Sequence, residues 1–193
     1  MTTFAIAVSP SRVRSSSLYR LALAAAGSLL VAGLAQLQVK LPFTPVPITG
    51  QTLGVLLVGS ALGPGLGALS MGLYVAEGAL GLPVFAGASG GLDLLRATSA
   101  TGGYLWGFVA AAAAVGWLAR RGWDRDLRGA IASMFVGEVV LYAIAIPWLM
   151  GALGVSLSRA LELGLAPFVV GDTLKLLLAA GMLPAAWKAV RRG

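Results

Sequence analysis

Six apolar runs follow one another along this sequence, and almost no charge interrupts them. They cover about residues 18–37, 48–63, 64–82, 101–119, 128–150 and 167–187. An α-helix crosses the hydrocarbon core of a bilayer with roughly 20 apolar residues, because each residue advances it by only ~1.5 Å. In that core no water reaches the backbone, so each run must satisfy its own N–H and C=O groups, as a helix does. The runs therefore predict an all-α integral membrane protein, a single domain built as a bundle of six transmembrane helices. The second and third runs join through Gly63-Pro64-Gly65, which leaves room only for a tight turn. Pro64 and Pro167 suit the first turn of a helix, where a missing N–H costs nothing.

Composition supports a lipid-facing surface. Charged residues make up 11% of the chain, against about 25% in soluble domains. Mean hydropathy is +0.89. The 27 glycines would weaken helices in water, but small residues let membrane helices approach closely. The chain has no cysteine and no histidine. Disulfides, thiolate chemistry, the usual zinc and haem ligands and any histidine-dependent triad are excluded. Neither a phosphate-binding G-x-x-x-x-G-K-[ST] loop nor a G-x-S-x-G elbow occurs, so ATP-driven work would need partner subunits. We therefore expect no enzyme activity, no metal and no cofactor.

The formal charge is +7, which could suggest nucleic acid. Its distribution suggests membrane topology instead. Arg12, Arg14, Arg20, Arg120, Arg121, Arg125, Arg128, Lys188, Arg191 and Arg192 fall on one side of the expected bundle, and only Lys40, Arg96 and Arg159 on the other. Short basic loops stay in the cytoplasm, which places both termini there, including a segment at about 1–17. The first run, with its preceding arginines and Gly33-Leu34-Ala35, can also be read as a signal peptide; its length and the apolar chain after it favour a spanning helix.

The opposite side carries the long loops. Residues 38–49 hold Pro42, Pro45 and Pro47, which forbid a regular helix and favour an extended segment. Residues 83–100 hold Pro83, Gly87, Gly90, Gly91, Asp93 and Arg96. Both contain apolar or aromatic residues, among them Phe43, Val46 and Phe85. We expect them to fold back as an external lid over a ligand pocket; plain connectors are the alternative.

Gly171-Asp172-Thr173-Leu174-Lys175 places two charges inside the sixth run. Each costs about 2.5–3.5 kcal/mol at a bilayer centre on insertion scales, so each needs a reason. Three residues apart, they share one helix face. From Pro167 they lie about 7 and 12 Å along the axis, in the outer half. Lys175 could meet a carboxylate and Asp172 could accept from N–H donors. From spacing alone three readings stay open: a ligand site, a self-neutralising structural pair, or a proton or ion path. Glu77 and Glu138 are further acids within the runs, with no role assigned. In the first run Ala22 and Ala26, like Ala24 and Ser28, are spaced for close helix packing, either inside the bundle or against a partner.

Taken together, LPFTPVPITGQTL (41–53), LLVGSALGPGLGALSMGLYVAEGALGLPVFAG (56–87), TGGYLWG (101–107) and GDTLK (171–175) resemble, in order, the BioY family, the biotin-specific substrate-binding (S) components of energy-coupling factor (ECF) transporters. The likeness spans roughly residues 38–180. It implies six helices around a biotin pocket near the external side of a bacterial cell membrane. Its implied partners are biotin, membrane lipid, and an ECF transmembrane coupling subunit with ATPase subunits that docks on the small-residue face at Ala22 and Ala26. A homo-oligomer is the arrangement implied for members working without those subunits. For the site, the resemblance implies Asp172 for the ureido N–H groups and Lys175 for the carboxylate, with Arg96, Tyr104 and Phe85 nearby. The sequence departs from the family at Ala97-Thr98-Ser99-Ala100-Thr101, where a Gly-Pro-Thr run is usual. A carrier for thiamine or riboflavin is the runner-up, although Lys175 would repel cationic thiamine. A membrane enzyme acting on lipid or acyl groups finds no nucleophile with a base.

Overall fold

The computed structural model describes residues 3–8 and 16–192. Arg12 and Arg14, used above for orientation, lie outside the described residues. A short helix α1 (Phe4–Val8) is followed by α2 (Ser17–Ala35), a two-strand ribbon of β1 (Gln38–Val39) and β2 (Ile48–Thr49), and α3 (Gln51–Ala79). Then come α4 (Gly102–Arg120), α5 (Leu127–Leu153), α6 (Leu157–Gly164) and α7 (Val169–Arg192). Five of these, Ser17–Ala35, Gln51–Ala79, Gly102–Arg120, Leu127–Leu153 and Val169–Val190, are long and apolar enough to cross a membrane.

The second and third apolar runs form one element, α3, that reverses within itself. Gly63 has φ +83° and ψ 176°, outside the helical region, and Pro64 follows it. Only glycine adopts that φ at low cost, and proline cannot donate back into the preceding turn. The reversal is visible in a hydrogen bond: Gln51 Nε2 donates to the Tyr74 hydroxyl at 2.7 Å. In an unbroken helix these residues would be about 34 Å apart at ~1.5 Å per residue. The arms 51–62 and 64–79 thus run side by side. A Cβ on Gly67 would sit 2.9 Å from Gly59 Cα, so the crossing depends on two residues without side chains.

Helix α4 is the centre of the bundle. Its apolar window is 67% buried, against 33% in α2 and α7. A Cβ on Gly116 would lie 2.4 Å from Gly63 C and 2.5 Å from Pro64 N, which seats α4 on the apex of the hairpin. Side chains capping the helices define their starts: Ser16 accepts from Tyr19 N, Asp126 from Gly129 N and Ser156 from Arg159 N, each meeting an N–H that the first turn leaves without a partner. Gly154, at φ +64°, ends α5 in the left-handed conformation that glycine tolerates.

The two ends of the bundle differ. One holds the chain reversal at Gly63 and the basic residues Arg20, Arg120, Arg121, Arg125, Arg128 and Lys188. The other holds the ribbon, the segment 80–101 and α6. At the arginine end Phe4 packs edge-on against Trp187, 5.5 Å between ring centres, and the Trp187 indole N–H donates to Asp124 at 2.6 Å. Burial raises the Asp124 carboxyl above its ordinary range; the bond from Trp187, its backbone and Arg125 oppose that rise. Outward-facing leucines and aromatics, including Leu29 (64% exposed), Phe135 (60%) and Leu178 (59%), cover the flanks. Such a flank suits hydrocarbon rather than water.

Both long loops fold back on the loop end. Residues 38–49 form the ribbon, with Gln38 opposite Thr49 and Val39 opposite Ile48. The Thr44 hydroxyl donates to Leu163 O at 2.6 Å, tying the proline-rich segment to α6. Phe85 turns inward, 3% exposed, and meets Tyr74 edge-on. Gln36 holds the same segment, donating to Phe85 O and accepting from Ala88 N. Helix α6 had no counterpart among the six apolar runs; Arg159 and Glu162 pair on its exposed face at 2.8 Å.

Candidate ligand site between the helices and the folded loops

A cavity of about 230 Å³ lies at the loop end. Its walls come from the ribbon and α3 (Gln38, Lys40, Val46, Pro47, Thr49, Gln51, Thr52), from the second loop (Phe85, Ala86, Ser89, Leu94), and from α4, α5 and α7. Thr101, Tyr104, Leu105, Phe108, Tyr142, Phe168, Asp172 and Lys175 complete it. The lining is mainly apolar and aromatic with a few converging polar groups, the usual character of a small-molecule site.

Asp172 and Lys175 share one wall. Lys175 Nζ lies 2.5 Å from Asp172 Oδ1. The same ammonium donates to Thr49 O at 2.8 Å and to the Thr52 hydroxyl at 2.7 Å. Thr52 in turn donates to Asp172 Oδ1 at 3.1 Å, and the Tyr142 hydroxyl donates to Asp172 Oδ2 through a short contact. Three elements therefore meet at one carboxylate: α3 through Thr52, α5 through Tyr142 and α7 through Asp172 itself. Asp172 is 3% exposed. In such a poorly solvated place an unpaired charge is costly, and a charge with full hydrogen bonding is stable.

Tyr104 and Phe85 also line the cavity. The Tyr104 hydroxyl donates to Gly164 O at 2.6 Å, and its ring meets Tyr142 edge-on and Phe168 at a tilt. Arg96 is not brought to the site. It is exposed, pairs with Asp93 at 2.8 Å and is not part of the lining. Arg96 ends the short 3₁₀ turn 92–95 with extended backbone, and a further turn follows, closed by Ser99 N donating to Arg96 O at 2.9 Å.

The two spaced pairs on α2 face opposite ways. Ala24 and Ser28 are buried, and Ser28 donates to Glu77 at 2.5 Å, which accounts for that acid. Ala22 and Ala26 face outward. Glu138 lies one turn below Tyr142 on α5, 9% exposed, with Oε1 unpartnered among the described residues. No group of three or more His, Cys, Asp or Glu side chains among the described residues could hold a metal ion.

Sequence reasoning passed over Lys40, Thr49, Gln51, Thr52 and Tyr142 as site residues. Four of them sit in or beside the 41–53 string whose order carried the family likeness, so that string was the available signal. The Gln51 side chain accepts from Thr49 at 2.7 Å while donating to Tyr74, which fixes the corner where the ribbon enters α3.

The model of the BioY family matches residues 8–192. A protein of Rhizobium etli named "Biotin transporter BioY" is 36% identical over 149 residues, covering 74% of this chain and 78% of that protein. One of Thermotoga maritima with the same name is 36% identical over 142 residues, 74% of this chain and 81% of its own. A Pyrococcus horikoshii protein named "Probable biotin transporter BioY" is 40% identical over 138 residues, 72% and 78% of the two chains. Among solved structures, the S-component for biotin from an ECF-type ABC transporter superposes with a TM-score of 0.80 at 24% identity, over 91% of this chain and 94% of that one. At that identity the likeness concerns the fold.

Proposed function

The chain belongs to the BioY family, and from that premise we propose that it takes up biotin, capturing the vitamin in the loop-end cavity. Biotin has a ureido ring with two N–H donors at one end and a carboxylate at the other. The observation that carries the site assignment is the Asp172–Lys175 pair on the wall of a mainly apolar cavity. In this reading the ureido ring takes over the Asp172 carboxylate, Lys175 leaves the ion pair and turns along the cavity to the carboxylate at the other end, and Tyr104, Phe85 and Phe108 flank the apolar middle. Lys40, at the rim, adds a second cation for the acid end. Arg96 keeps its partner Asp93 and has no part in the site. The runner-up vitamins fit less well: the names of the relatives favour biotin, and Lys175 repels a thiamine cation.

The finer topology follows the same reading. The α3 hairpin counts as two crossings, giving six in a multi-pass protein of the cell membrane. The arginine end faces the cytoplasm with both termini, and the loops face outside. Transport couples to an ECF module, with the outward-facing Ala22 and Ala26 as the close-approach strip for a coupling subunit. Self-association is the arrangement for a member acting without that module.

Tryptophan-fluorescence titration of the purified protein tests the site. Lys175→Ala should weaken biotin by at least about tenfold, the size of one lost charge-assisted bond, and biotin amide much less, because the amide lacks the charge. Equal losses for both would reduce Lys175 to a structural role. Thiamine binding tighter than biotin would overturn the substrate.

A further inference from the structure

A second cavity, about 280 Å³, opens at the arginine end, on the far side of the bundle from the vitamin site. Arg20 of α2 and Arg120 of α4 both line it, and neither guanidinium has an ion-pair or hydrogen-bond partner among the described residues. Between them lies the start of the second α3 arm, Gly63-Pro64-Gly65. The first N–H groups of a helix have no acceptor within it and carry partial positive charge. Thr3, which closes the cavity, is 1% exposed, and its hydroxyl has no partner. Two unpaired cations, a helix start and a buried free hydroxyl thus converge on one space, the donor set that a phosphate group satisfies.

The remaining lining indicates what carries the phosphate. Leu23, Leu62 and Leu66 form the apolar part of the cavity. Beside Arg20 on α2, Leu18 (78% exposed) and Leu21 (57%) continue this surface onto the outer flank. Acyl chains lie along that flank in a bilayer, so the cavity borders the space where a lipid headgroup is already at hand. We propose that this cavity is a binding site for an anionic phospholipid, its headgroup phosphate held by Arg20, Arg120 and the first N–H groups after Pro64, its chains lying along α2 in the protein without its coupling subunit. Basic pockets between membrane helices commonly serve such headgroups.

Native mass spectrometry of the detergent-purified protein, titrated separately with phosphatidylglycerol and phosphatidylcholine, tests this. One phosphatidylglycerol should be retained at least about tenfold more tightly than phosphatidylcholine, the scale of two juxtamembrane cations. The double variant Arg20→Gln/Arg120→Gln should remove that preference. Gly65→Leu should remove it too with both arginines intact, since Gly65 lines the cavity and a Cβ there meets nothing within 4 Å, so the added side chain competes with the headgroup for that space. Unchanged circular dichroism in each variant shows that the fold is kept. Preference surviving the double variant overturns the proposal. Loss in the double variant with full retention in Gly65→Leu also overturns it, because the attraction would then belong to the charged surface at large. Displacement of the lipid by equimolar glycerol 3-phosphate would assign the cavity to a soluble phosphate and overturn the lipid.

Discussion

Lys175 has three N–H donors, and the protein uses all of them: Thr49 O, the Thr52 hydroxyl and Asp172 Oδ1. An incoming carboxylate therefore reaches this ammonium by exchange, taking the place of Asp172 as its ion-pair partner. Tyr104 has a different task. Its hydroxyl ties α4 to the end of α6 at Gly164 O, in a buried place. Tyr104→Phe should lower stability by about 1–2 kcal/mol, because the carbonyl is left without a donor; a drop in the detergent melting temperature, with secondary structure retained, would register it. The sequence made Asp172 and Lys175 conspicuous, since charges inside an apolar run need a reason. Thr52 and Tyr142 carried no such mark. A threonine hydroxyl in a membrane helix can bond its own backbone, and a tyrosine can reach the bilayer interface with its polar tip, so neither residue type by itself points to a site. Only the family resemblance pointed to Arg96, and an acid three residues earlier pairs with it.

At the scale of elements, the long apolar runs foretold helices because only a helix closes its own hydrogen bonds in lipid. Gly63-Pro64-Gly65 marked the hairpin inside α3 for equally local reasons. The short α6 was hidden, because its eight residues include exposed charges and no apolar run. Which helix lies at the centre was also hidden: α4 is rich in alanine and glycine, and its role follows from how closely others approach it. That closeness makes Gly116 a sensitive point. Gly116→Val would drive a side chain into backbone atoms of Gly63, Pro64 and Gly59, and overpacking of this kind costs about 1–3 kcal/mol or more. Gly72→Ala is the matched comparison, since a Cβ there meets nothing within 4 Å. Thermal melts should separate the two clearly; equal melting temperatures would contradict the described crossing of α4 and α3.

Over the whole molecule, charge and loop length are segregated to opposite ends, and that asymmetry sets the proposed orientation. The chain has no cysteine of its own, so single cysteines can report it. Phe43 at the loop end is 61% exposed and Leu127 at the arginine end 54%. In intact cells Phe43→Cys should react with a membrane-impermeant maleimide, and Leu127→Cys only after lysis. The opposite labelling would invert the topology. Charge counts suggested this arrangement along the chain, but they could not reveal that the basic end encloses a cavity, which required α2, α3 and α4 to be set side by side.

The carboxylate of Asp172 is a clasp. Its two oxygens fasten α3 through Thr52 and α5 through Tyr142 onto α7. A guest that lays claim to those oxygens must unfasten one helix or another in doing so. Recognition and loosening would then be a single event, and a guest lacking ring donors would leave the clasp shut.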